Sequence, residues 1–110
     1  MTRAARIGRD GKPAISERLF TEQVRKAAIV TGWKFYHTHN SMFSAKGYPD
    51  ICLAKSGRLW FAELKTETGK VSPEQQEWID AINEVETPFV RAIVLRPSDF
   101  DEFFEELKRI

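Results

Sequence analysis

Apolar residues recur along this chain in seven short patterns separated by turn residues. From Ser16, a good helix N-cap, Phe20, Val24, Ala27 and Ala28 keep helical spacing as far as Thr31, and Gly32 ends the run. Trp33 to Thr38 reads as a strand, and after a polar loop Gly47-Tyr48-Pro49 leads into a second strand from Asp50 to Ala54. Lys55-Ser56-Gly57-Arg58 reads as a turn and Leu59 to Lys65 as the return strand, which together predict a hairpin. Polar residues fill Thr66 to Val71. Ser72-Pro73-Glu74-Gln75 then supplies an N-cap, a proline at the first helical position and a capping-box Gln to a helix carrying Trp78, Ile79, Ile82 and Val85. Pro88 precedes a strand from Phe89 to Leu95, and Ser98 caps a last helix bearing Phe103, Phe104, Leu107 and Ile110. The predicted order is αβββαβα.

Both faces of the hairpin are apolar, with Ile51, Leu53, Trp60, Ala62 and Leu64 on one and Cys52, Ala54, Leu59 and Phe61 on the other. Such a sheet needs cover on both sides, so the expected architecture is α/β, a mixed sheet sandwiched between helices. With 110 residues, 42% hydrophobic and 30% charged, the chain has material for one core. One domain from 15 to 110 is expected, preceded by a basic arm over 1–14. The arm holds Arg3, Arg6, Arg9 and Lys12 against Asp10, and reads as a flexible terminus or as a segment that tracks phosphates. No apolar run approaches the roughly 20 residues needed to cross a bilayer. The single cysteine, Cys52, has no internal disulfide partner and sits in an apolar run, so a reducing, cytoplasmic setting is expected. A net charge of +1 excludes a uniformly basic nucleic-acid binder and leaves only a local patch.

The chemistry lies at the open end of the hairpin. With the turn centred between Ser56 and Gly57, Asp50 falls directly across from Glu63, and strand alternation puts Lys65 on the face of Glu63. Opposed like charges are destabilising, so something must neutralise them. One reading is a Mg²⁺ site, since that ion takes one or two carboxylates and leaves room for water and phosphate oxygens, with Lys65 supplying a point charge for phosphodiester hydrolysis. The other is an ordinary salt bridge from Lys65 to Glu63 or Asp50 at a strand end. Glu17 tips the balance, because it shares the helix face of Phe20 and Val24, where an acid is unexpected; Glu22 lies on another face. Gln75 shares a face with Trp78, Ile79 and Ile82, and serves either the site or the capping box of Ser72.

Three stretches, Gly47-Tyr48-Pro49-Asp50, Ala62-Glu63-Leu64-Lys65 and Gly69-Lys70-Val71-Ser72-Pro73-Glu74-Gln75, resemble the VRR-NUC domain, the virus-type replication-repair nuclease branch of the PD-(D/E)XK superfamily. The resemblance runs from about Ser16 to Arg96 and takes in the helix that bears Glu17 and the Gly32-Trp33 step. It implies a three-layer nuclease fold with an αβββαβ core. It further implies that Asp50, Glu63 and the Leu64 backbone carbonyl hold Mg²⁺ or Mn²⁺, that Lys65 is the catalytic lysine, and that Glu17 and Gln75 complete the site. Stand-alone members are associated with homodimers that cleave structured DNA, four-way (Holliday) junctions among them, in DNA repair.

His39, Lys46 and Lys70 stand in loops flanking this core and are candidate phosphate contacts. His37 and His39 share a strand face, but zinc requires three or four ligands and only Cys52 is available to join them. No Gly-rich phosphate loop, Ser-His-Asp set or paired-cysteine motif occurs, so no nucleotide cofactor is expected. The sequence therefore points to a metal-dependent endonuclease acting on branched DNA as a homodimer. The alternatives are a sequence-specific or RNA-directed nuclease of the same superfamily, a non-cleaving DNA-binding module on that fold, and an interaction domain whose acids are structural.

Overall fold

A computed structural model of the chain describes residues 15–38 and 45–110. In chain order they form α1 (Glu17–Val30), β1 (Lys34–His37), β2 (Ile51–Lys55), β3 (Arg58–Leu64), α2 (Pro73–Asn83), β4 (Val90–Leu95), a 3₁₀ turn (Pro97–Asp99) and α3 (Phe100–Lys108). The Ser16 hydroxyl caps α1 by accepting from Leu19 N at 3.1 Å. At the other end Trp33 N donates to Ala28 O and Gly32 N to Ile29 O, a Schellman closure that requires the left-handed φ of +86° at Gly32. Phe20, Val24, Ala27 and Ala28 form the buried stripe of α1, as their spacing predicts. His39 and the basic arm over 1–14 lie outside the described residues.

The sheet is mixed, in the order β1-β2-β3-β4, with β1, β2 and β3 antiparallel and β4 parallel to β3 through the α2 crossover. Ser56 and Gly57 both take positive φ, 49° and 80°, the two-residue turn whose twist matches a hairpin. That turn sets the register, pairing Lys55 with Arg58 and Ile51 with Ala62. Ile51, Leu53, Trp60, Ala62 and Leu64 face α1 and α3 and make the main core with Phe20, Val24, Trp33, Phe103 and Leu107. Trp33 joins α3 to the sheet, its ring 4.6 Å from that of Trp60 and its Nε1 donating to Leu107 O at 3.2 Å.

The opposite face is covered in part by α2. Tyr48 meets Trp78 and Phe61 edge-on there, and Ile79 is buried. Asn83 fastens α2 to β4, donating to Ala92 O at 2.9 Å and accepting from Ala92 N at 2.8 Å. Leu59, beyond the reach of this helix, stays 36% exposed. Two expectations fail. Val85 lies past the end of α2 and is 51% exposed, because Glu84 already caps the helix. Ser98 does not cap the last helix: it sits in the 3₁₀ turn ahead of α3, and its N–H and hydroxyl bind the Glu67 carboxylate instead.

Candidate active site

β2 begins at Ile51 and leaves Asp50 one residue beyond the ladder, next to the end of β3. The chain there is held on two sides: Asp50 O accepts from Thr38 N at 3.0 Å, and Asp50 Oδ2 accepts from Leu64 N at 2.8 Å. The side chain thus ties the entry of β2 to the end of β3. The approach to Asp50 is equally constrained. Gly47 has φ +85°, and a Cβ on it would lie 2.5 Å from the backbone carbon of Glu74, so only glycine lets this segment lie against the first turn of α2.

Glu63 is 3% exposed at the end of β3. Its Oε1 accepts from Gln75 Nε2 at 2.8 Å and lies 3.9 Å from Lys65 Nζ. Its Oε2 is buried without any donor. The Asp50 carboxyl stands within hydrogen-bonding reach of Glu63, and two carboxyls bond only when one keeps a proton. Burial, the Asp50 charge and that shared hydrogen bond push Glu63 up to about 8, Glu17 adds to the rise, and Lys65 opposes it. The two carboxylates that the hairpin register brings together therefore resist being ionised at the same time.

Gln75 fills both of the roles its sequence context suggests. Its backbone N donates to Ser72 Oγ at 3.1 Å and its Oε1 accepts from Ser72 N at 2.8 Å, completing the capping box, while the free Nε2 turns to Glu63. Glu17 differs from expectation. It is exposed in the first turn of α1, and it acts on Glu63 through its charge. Glu22 is occupied by Arg25, whose Nε lies 3.0 Å from Glu22 Oε2. Lys46 and Lys70 are both exposed in flanking loops, and Lys46 contacts Glu74 Oε1 at 3.4 Å. Cys52 is half-buried near the pair, and burial pushes its thiol up.

Among the described residues, no three His, Cys, Asp or Glu side chains stand together as a metal cage. Asp50 and Glu63 are the pair able to hold a hard divalent cation, the small carboxylate set that suits Mg²⁺ or Mn²⁺ rather than zinc. Leu64, whose carbonyl is the third expected ligand, is fixed there by its N–H bond to Asp50. Sequence reasoning missed Glu67, a second buried carboxylate at 7% exposure, whose partner Ser98 lies 31 positions away. A polar loop gives no local sign of such a bond.

Compared with curated proteins and with solved structures, the chain shows no significant match. The family model of the VRR-NUC domain matches residues 15–96, a span that holds Glu17, Asp50, Glu63, Lys65 and Gln75 and ends between β4 and the 3₁₀ turn. No helix among the described residues is long and apolar enough to cross a membrane. With well over half its length matched by that one family, the chain belongs to the VRR-NUC family, and its domain is a nuclease domain.

Proposed function

We propose that this protein is a Mg²⁺- or Mn²⁺-dependent endonuclease that hydrolyses phosphodiester bonds of branched DNA, four-way junctions included, as a homodimer. The observation that carries the reading is Glu63: a buried carboxylate beside Asp50, with one oxygen lacking a donor and its proton affinity raised by burial and by the Asp50 charge. A cation held by Asp50 and Glu63 would supply charge to polarise the scissile phosphate and to acidify an attacking water. Leu64 N fixes the Asp50 carboxylate, and Gln75 fixes Glu63 from the opposite side. Lys65, with its side chain 18% exposed, directs a compact positive charge at the place where phosphoryl oxygens gain charge. Glu17 adds negative potential at the mouth of the site. Lys46 and Lys70 contact flanking phosphates, which adds affinity without sequence preference.

The order α1-β1-β2-β3-α2-β4, with helices on both sides of a mixed sheet, supports reading the fold as the PD-(D/E)XK type. A homodimer would present two such sites to the paired strands of a junction. The test is cleavage of labelled linear duplex, flap, splayed-arm and four-way-junction DNA with Mg²⁺, with Mn²⁺ and with EDTA. Metal-dependent endonucleolytic cuts, fastest on the junction, are expected. Cleavage that persists in EDTA would remove the metal from the reading, and equal rates on all substrates would remove the structure selectivity.

A further inference from the structure

Lys65 is the first residue after β3, and from it the chain runs through a short loop to Ser72, the N-cap of α2. Inside that loop one backbone bond closes a turn, from Gly69 N to Thr66 O at 3.3 Å. The rest of its support comes across the fold from the end of β4. Lys65 N donates to Leu95 O at 3.0 Å, and Arg96 Nη1 donates to Thr66 O at 2.6 Å and to Glu67 O at 3.3 Å. Glu67 turns inward, its Oε1 accepting from Ser98 N and its Oε2 from Ser98 Oγ at 3.0 Å. Asp99 secures the far side of this brace by accepting from Arg96 N at 2.9 Å.

The turn so held returns beside the lysine. A Cβ placed on Gly69 would stand 3.6 Å from Lys65 Cδ and 3.0 Å from Thr66 Oγ1, so the returning backbone passes within about one methyl group of the aliphatic stem of Lys65 and limits the space open to it. A lysine side chain is flexible, and its ammonium stays in one place only when its stem is confined. We propose that Glu67, Arg96 and Ser98 are positioning residues of the nuclease reaction, holding the Thr66–Gly69 turn against Lys65 and so keeping its ammonium beside Glu63. Ser98 lies beyond the span matched by the family, so the C-terminal segment contributes to the site through this brace.

The inference rests on the reading of Lys65 as catalytic, and a double-mutant cycle separates the two. Cleavage is measured for Glu67→Ala, Glu67→Gln, Lys65→Ala, Lys65→Arg and the Lys65→Arg/Glu67→Ala double variant. Glu67→Ala is expected to lower kcat by about 10²-fold, the usual effect of displacing a reacting group by an ångström, with KM for DNA and the Mn²⁺-induced rise in Tm unchanged. Glu67→Gln keeps an acceptor for Ser98 N and a polar partner for Ser98 Oγ, and should restore most of kcat. On the Lys65→Arg background Glu67→Ala should cause no further fall. A fall of the same size on both backgrounds, or one confined to KM, would overturn the brace alone. Wild-type cleavage by Lys65→Ala would instead overturn the reading beneath it. Should Glu67→Ala fail to fold, Ser98→Ala, which removes only the hydroxyl bond, completes the same cycle with the same two outcomes.

Discussion

Glu63 and Glu67 lie four positions apart, at the end of β3 and in the loop that follows, and both are buried. Their hydrogen bonding is opposite in kind. Both oxygens of Glu67 are answered, one by the N–H and one by the hydroxyl of Ser98. Glu63 has one oxygen answered by Gln75 and one left without a donor, facing a second carboxyl. A buried carboxylate with a donor on each oxygen joins two segments of chain. One left short is unstable by itself and calls for a cation or a proton. The contrast supports the proposal that Glu63 serves the chemistry and Glu67 the support of the site.

Cleavage separates the two most widely. Glu63→Gln and Lys65→Ala should each lower kcat by roughly 10³-fold, the upper range for loss of one preorganised charged group, while Glu67→Gln stays within a few-fold of wild type. Junction binding by Lys65→Ala, followed by gel shift without metal, should be retained, since flanking phosphate contacts carry most of the affinity.

Metal binding comes next. Mn²⁺ at a hundred times its Kd should stabilise the folded protein by about 2.7 kcal/mol, because only the folded state has the pair. Asp50→Asn keeps an oxygen for Leu64 N but removes a ligand charge, so most of that shift should disappear from thermal melts. Glu67→Gln, by contrast, should retain the whole shift; its loss there would break the contrast.

Stability without metal should change in opposite directions at the two sites. In EDTA, Glu67→Ala leaves Ser98 N without its acceptor and should destabilise by about 1–3 kcal/mol. Glu63→Gln removes an acid that burial and Asp50 disfavour, and should raise Tm at pH 7. The pH dependence gives the sign independently. Unfolded, Glu63 titrates near 4.5, and in the folded protein it rises to about 8. Between these values the folded state keeps a proton that the unfolded state has released. The stability linked to Glu63 is therefore complete below pH 4.5 and is lost as the pH climbs to about 8. Melts of the metal-free wild type should show this decline and those of Glu63→Gln should not. Mn²⁺ affinity should run the other way, increasing up to about pH 8 as the competing proton leaves.

The smallest effect belongs to the exposed cations. Replacing Lys46 or Lys70 by Ala should reduce the slope of log K against log salt by about 1 if each neutralises one phosphate, with kcat unchanged. An unaltered slope would take that residue out of the DNA path.

Local rules were enough to bring together the core of the candidate site. Ser56-Gly57 suits a two-residue turn, the turn dictates the register, and a side-chain period of two then brings Asp50 across from Glu63 with Lys65 on the same side. The Ser72-Pro73-Glu74-Gln75 start of α2 was equally legible, since caps act over three residues. Reading stopped where a residue's role depends on something distant in sequence. Glu17 obeys the helical period yet is exposed, because period says which face a side chain shares and not whether another element covers it there. Ser98 has the composition of a cap, but its N–H and hydroxyl donate to a carboxylate 31 positions away.

The sequence by itself determined the element order, the α1 stripe, the hairpin register and thereby the acid pair, because each follows from interactions among residues near in the chain or locked by one turn. Only the tertiary structure decided which of two acids four positions apart would be satisfied. That depends on burial and on partners brought from afar: Gln75 from α2 reaches one oxygen of Glu63, and Ser98 from beyond β4 reaches both of Glu67. Desolvation strengthens every bond that is made and penalises every one that is not, so the same residue type is left short of a donor in one place and tied to a distant segment in the other.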